Sequence, residues 1–186
     1  MSSKSEKYAT EWCTEFIEVS KRTLSDSYLF IEGVKMFDIE EIMRNVPHRF
    51  PFLLIDRILE YKENESVTVL KNVSINEAQF QGHFPGKPIL PGVYIIENMA
   101  QAACFLLAKS AGGIQEGTVY YLGRVTRMSF MQPVVPGDQL VTTITVDKRF
   151  GDSAAVSAKS IVEGKTVASG ELMFGVRRAS AETKKK

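Results

Sequence analysis

The residues able to do chemistry crowd into one stretch. It reads Gly82-His83-Phe84-Pro85-Gly86-Lys87-Pro88-Ile89-Leu90-Pro91-Gly92-Val93, with Glu97 just beyond. His83 is one of only two histidines in the chain, and it sits inside this Gly/Pro loop. Pro85, Pro88 and Pro91 fix φ and limit the loop's motion. Gly82, Gly86 and Gly92 permit backbone geometries and close approaches that a side chain forbids. The loop feeds a helical pattern, which puts Gly92 at a helix N-terminus. Such a terminus offers unpaired N–H groups and a partial positive charge to a carbonyl oxygen gaining negative charge. Glu97 falls about one turn into the helix. Asn98 and Gln101 adjoin it as a polar facet on an otherwise apolar cylinder. A carboxylate there meets a partner, is protonated or faces a pocket. A base, an acid and an oxyanion donor close together suit proton abstraction beside a carbonyl. The plainer alternatives are a hydrogen-bonded structural histidine and a glutamate in a local network.

The surrounding elements must place these groups. Asp38 precedes Glu41 by three, near a capping box, and opens a helix through Ile39, Ile42 and Met43 that stops near Pro47. A β-prone run follows from Phe52 to Tyr61, and a second strand spans 65–73 with Asn64 in the turn between them. Residues 75–92 are irregular. Residues 93–110 form a compact helix, roughly 27 Å long, apolar on most faces and therefore buried. Gly112-Gly113 ends it. Strand patterns then occupy 118–130, 139–150, 154–162 and 166–176, joined by turns at QPVVPGD, Gly151-Asp152 and Glu163-Gly164-Lys165. Short turns make antiparallel neighbours. The expectation is an α+β fold, one sheet wrapped around one apolar helix. The strand order stays open.

Three regions separate by pattern: 1–37, 38–178 and 179–186. In the first, Tyr8, Trp12, Phe16 and Val19 share one face of an amphipathic N-terminal helix. The last is a polar tail with three terminal lysines, expected to be disordered.

Composition excludes much else. The 186 residues carry a net charge of +1, with 44% hydrophobic and 24% charged residues. Balanced charge gives no general case for nucleic acid or an acidic membrane. Cys13 and Cys104 cannot build a disulfide framework, and without a Cys-x-x-Cys pair there is little material for a metal site. Residues 1–20 lack a secretory pattern, and their acids argue against a mitochondrial presequence. The apolar stretch at 89–108 holds Pro91, Glu97, Asn98 and Gln101, so no membrane span is expected. A reducing, cytoplasmic location follows as the expectation.

Three blocks carry a family resemblance. They are GHFPGKPILPGV with Glu97 and Met99-Ala100-Gln101, PHRFPFLLIDRI at 47–58, and QPVVPGDQL at 132–140. In order and spacing, from about residue 38 to 176, the chain resembles the FabZ-type (3R)-hydroxyacyl-[acyl carrier protein] dehydratases. The resemblance implies a hot-dog fold, a long central helix wrapped by a curved antiparallel sheet. It implies a hydro-lyase of fatty acid biosynthesis that makes trans-2-enoyl thioesters on acyl carrier protein. His83 and Glu97 would be the catalytic pair, assembled across a homodimer interface, with dimers associating into hexamers. Gly92 would offer its N–H to the thioester carbonyl. Phe84, Pro91, Val93 and Gln101 would contact substrate, with Ile89, Leu90, Ile96 and Met99 as further candidates for an apolar chain site. No metal, nucleotide or other cofactor is implied. His83 would take a proton from C2. Glu97 would either donate a proton to the departing hydroxyl or orient it while His83 returns the proton.

Some residues stand apart. His48, beside Pro47, reads as structural, and Arg49 as a partner for a carboxylate. Tyr120 and Tyr121 face opposite sides of a strand, one of them a candidate for an acyl tunnel. Asn98 stands where the family has a small residue, which is expected to alter the polarity of the site. Met131-Gln132 stand where the family carries basic residues, leaving Arg124, Arg127, Lys148, Arg149, Arg177 and Arg178 as candidates for meeting an acidic carrier. The alternatives are a hot-dog thioesterase acting on coenzyme A thioesters, a dehydratase that also isomerises, and a non-catalytic acyl-binding or assembly subunit. His83 argues against the first, Glu97 in place of aspartate against the second, and the intact pair against the third.

Overall fold

The computed structural model describes residues 37–115 and 117–178. The expected N-terminal helix with Cys13, and the tail from 179, lie outside the described residues.

Helix α1 spans Ile39–Asn45. The Asp38 side chain accepts a 2.9 Å hydrogen bond from the Glu41 amide and caps it, satisfying one of the donors that a helix start leaves free. The helix ends at Val46, which is extended (φ −126°, ψ 127°), as a residue before proline prefers. Arg49 does not seek a carboxylate. Its guanidinium donates to the carbonyls of Met43, Val46 and His48 at 2.7–2.8 Å, which satisfies oxygens at the helix C-terminus.

Strands β1 (Arg57–Lys62) and β2 (Ser66–Asn72) form a hairpin, with Asn64 at φ 62° in its turn. β1 starts later than the apolar run suggested. Residues 52–54 are claimed by side chains of the long helix α2 (Gly92–Ser110) instead of a strand partner. Gln101 Oε1 accepts from the Leu54 amide at 2.8 Å, and Gln101 Nε2 donates to the Phe52 carbonyl at 2.7 Å. Asn98 Nδ2 donates to the Leu54 carbonyl at 2.7 Å. A backbone satisfied in this way has no need of a sheet neighbour.

The other strands are β3 (Thr118–Phe130), β4 (Gln139–Phe150), β5 (Ser153–Val162) and β6 (Lys165–Arg178). The order is β1-β2-β4-β5-β6-β3, every pair antiparallel. The tight β5–β6 turn uses Glu163 and Gly164 at φ 48° and 76°, the left-handed pair that a two-residue hairpin requires. β3 pairs only with β6, so it forms one edge, and residues 131–138 carry the chain back to β4. On that crossing Val134 is buried, and its carbonyl accepts from the Leu90 amide at 2.8 Å.

The sheet wraps α2. Phe105, Met99, Leu106, Ile58, Leu140, Ile144 and Leu172 are fully buried between helix and sheet. Ala100, Ala102 and Ala103 keep the helix face shallow there, so the strands approach closely. Among the described residues, no helix is long and apolar enough to cross a membrane.

Candidate active site

The loop carrying His83 is anchored at both ends. Upstream, a 3₁₀ turn (Ala78–Gln81) follows Glu77. The Glu77 carboxylate pairs with Lys71 of β2 at 2.9 Å and accepts from the Ser74 amide at 2.8 Å and Gln79 Nε2 at 2.7 Å. Burial pushes the Glu77 carboxyl up, but these partners outweigh burial and hold it below the usual carboxylate range. The Gln79 carbonyl accepts from the His83 amide at 2.9 Å, and the His83 carbonyl accepts from the Ile89 amide at 3.0 Å. Downstream, the Leu90–Val134 bond ties the loop to the β3–β4 crossing.

That frame sets the chemistry of the ring. His83 Nδ1 lies 2.7 Å from the Ile89 carbonyl oxygen. A carbonyl only accepts, so Nδ1 carries the hydrogen and neutral His83 keeps its lone pair on Nε2. The Phe84 ring stacks on the imidazole at 3.9 Å between centroids. The His83–Phe84 peptide is cis.

α2 begins where the loop ends. Pro91 is its N-cap. Among the described residues nothing accepts from the Gly92 amide, as expected of a first-turn donor. A Cβ at Gly92 would lie 2.8 Å from the Phe130 ring, so glycine is needed for the ring to cover the helix start. Glu97 is partly exposed, its side chain 24% accessible. Its Oε1 accepts a 2.8 Å bond from Gln101 Nε2 and lies 3.3 Å from His48 Nε2.

Within one chain, no hydrogen bond or ion pair joins His83 and Glu97. The other expected contact residues divide by burial. Phe84 and Val93 are exposed, at 52% and 68%, whereas Pro91 is buried. Gln101 is fully buried and spends both Nε2 hydrogens on Phe52 and Glu97. It holds the 52–54 segment and Glu97, and has no donor left for a substrate. Leu90 and Met99 are core residues. Tyr120 packs against the core, while Tyr121 is exposed.

Asn98 does not alter the polarity of the site. Its amide is buried against Leu54 and Thr142. Cys104, one turn past Gln101, is buried, and its thiol is pushed up to about 12 by burial and then by the Glu97 charge. It remains a thiol at neutral pH. Among the described residues no cluster of three or more His, Cys, Asp or Glu could hold a metal ion.

Comparison with known proteins places this arrangement. Residues 46–171 match the family model of the FabA-like domain. The chain belongs to the FabA-like family. The 3-hydroxyacyl-[acyl-carrier-protein] dehydratases FabZ of Salmonella arizonae and Salmonella newport are each 47% identical to it over 135 residues, covering 73% of this chain and 89% of theirs. Within the FabA-like proteins the chain therefore belongs with the FabZ dehydratases. Among solved structures it resembles the dehydratase heterocomplex ApeI:P from Xenorhabdus doucetiae, with TM-score 0.64, 17% identity, and coverage of 74% of this chain and 91% of that one. A hot-dog-like protein from Thermanaerovibrio acidaminovorans gives TM-score 0.52 at 22% identity, covering 64% and 85%. These likenesses show the hot-dog fold.

One feature of this FabA-like site escaped the sequence. His48 stands beside Glu97, not apart from it. The signal was present in the PHRFPFLL block, but the long-range bonds of Gln101 and Asn98 to residues 52–54, which help bring that block against α2, cannot be read locally.

Proposed function

We propose that this chain dehydrates (3R)-3-hydroxyacyl thioesters of acyl carrier protein to trans-2-enoyl thioesters, the hydro-lyase step of fatty acid biosynthesis. The observation that carries the reading is 47% identity over 89% of the length of FabZ dehydratases, in a chain that keeps a His83 with its lone pair on Nε2 and a Glu97 on the central helix.

The thioester carbonyl accepts the Gly92 N–H, whose place in the first turn of α2 adds the helix dipole to the stabilisation of enolate character. His83 Nε2 takes the proton from C2, and Glu97 protonates the hydroxyl departing from C3. Phe84 and Val93 are the exposed apolar groups at the loop and helix start that meet the acyl thioester. No hydrogen bond or ion pair joins His83 and Glu97 within one chain, which favours a homodimer in which each subunit supplies one of them. Three such dimers form a hexamer. The long exposed edge of β3, with Val119, Tyr121 and Leu122, favours pairing with a second copy. The acidic carrier meets basic surface residues. Arg124, Lys148, Arg149 and Arg177 are exposed, and Arg127 is already paired with Glu171 at 2.7 Å. The catalytic unit is 38–178, acting without a cofactor in the cytoplasm.

The test is hydration of a crotonyl thioester of carrier protein, followed by loss of enoyl absorbance. His83→Ala and Glu97→Gln should each slow turnover by ~10²–10⁴-fold. Thiol release without hydration, or near-normal turnover in either variant, overturns the proposal.

A further inference from the structure

His48 and His83 are the chain's only histidines, and their surroundings fix opposite tautomers. His83 is an Nδ1–H imidazole because Nδ1 faces the Ile89 carbonyl. His48 Nδ1 is buried and, among the described residues, has no hydrogen-bond partner. A buried N–H without an acceptor is rarer and costlier than a buried lone pair without a donor. The hydrogen of His48 therefore belongs on Nε2, which lies 3.3 Å from Glu97 Oε1, within ion-pair distance but outside hydrogen-bond geometry. Its buried Nδ1 lone pair cannot reach a substrate, so His48 is no second base.

We infer that His48 is a positioning residue that works with Gln101 to hold Glu97 Oε1, leaving Oε2 as the oxygen that carries the proton to the leaving hydroxyl. Gln101 already donates to Oε1 at 2.8 Å. Gln101 Nε2 and His48 Nε2 both lie against this one oxygen, and no protein group among the described residues engages Oε2. An oxygen accepting two N–H groups serves equally as half of a carboxylate and as the carbonyl oxygen of the protonated acid. The anchor thus persists while Oε2 gains and loses its proton. A spacing of 3.3 Å exceeds an ordinary N–H···O bond, and bonds of this kind tighten when substrate closes the site. The neighbours of His48 agree with this role. Phe52 lies 6.0 Å from its ring, centroid to centroid, and Tyr94 of α2 lies 6.2 Å from Phe52. The Phe52 ring flanks the imidazole on a segment that Gln101 and Asn98 pin to α2.

This assignment rests on the dehydratase reading. Two substitutions of similar size separate positioning from packing. Glutamine places an N–H near the site of Nε2, and asparagine places one near Nδ1. Enoyl hydration is measured with the full chain, with melting temperatures recorded for each variant. His48→Asn should lower kcat by roughly 10- to 100-fold with KM nearly unchanged, the loss typical of a misplaced reacting group. His48→Gln should restore most of kcat. Equal turnover of the two variants, or wild-type kcat in His48→Asn, overturns the assignment while leaving the dehydratase reading intact. Absence of hydration by the wild-type protein overturns that reading itself.

Discussion

Thr142 Oγ1 donates a 2.7 Å hydrogen bond to Asn98 Oδ1, with both residues fully buried between helix and sheet. Ser160 joins Thr142 at 2.7 Å, and Asn98 passes the connection on to the Leu54 carbonyl. One amide thus links β5, β4, α2 and the segment that carries His48. Asn98→Leu leaves the Thr142 hydroxyl and the Leu54 carbonyl without this partner, at about 1–3 kcal/mol each for groups that stay buried. The expected result in denaturant titration is a lower midpoint. Activity should fall as well, because the Leu54 segment loosens beside Glu97. An unchanged midpoint would count against this network.

Lys71 and Glu77 form a pair whose side chains are only 7% and 20% accessible. Lys71→Met strands the carboxylate under the His83 loop. Removing one partner of a buried pair costs about 3 kcal/mol or more. The double variant Lys71→Met/Glu77→Leu should recover much of that loss, as a double-mutant cycle in urea would show.

Gly92 lies under the Phe130 ring. Gly92→Ala drives a methyl into ring atoms 2.8 Å away, an overpacking of about 1–3 kcal/mol unless the ring moves. Phe130→Leu in the same chain should return the melting temperature toward the wild-type value. Additive losses in the double variant would show that the two positions do not meet.

Shared sites predict complementation. His83→Ala and Glu97→Gln homodimers are each inactive, but a mixed dimer carries one site with both residues intact. Random reassembly of equal amounts should recover roughly one quarter of wild-type activity. Failure to recover any activity in verified mixed dimers contradicts sites built across the interface.

Acid should weaken the tie between the helices. Glu41 of α1 binds Lys109 of α2, and that hydrogen bond, outweighing burial, holds its carboxyl below the ordinary 4.5. A lowered folded value stabilises the protein above 4.5, and the contribution disappears as pH falls through that folded value. The melting temperature of Glu41→Gln should therefore lie below wild type at pH 7, and the gap should narrow as pH falls below 4.5.

Local physics made much of this protein legible before folding was considered. The apolar cylinder at 93–110, the alternating strands after 118 and the glycine-rich turns each follow from patterns within a dozen or so residues. His83 and Glu97 stood out because a Gly/Pro loop and a carboxylate on an apolar helix are unusual locally. Three features required the third dimension. The strand order depends on where residues 131–138 cross, and no local pattern encodes a path. The late start of β1 depends on Gln101 and Asn98, more than forty residues away, taking over the backbone of residues 52–54. The place of His48 beside Glu97 follows from the same long-range bonds. Sequence alone determined which residue types were available for acid–base chemistry. Tertiary structure decided which nitrogen of each histidine holds the proton, because a tautomer is chosen by the hydrogen-bond partner that folding brings to it.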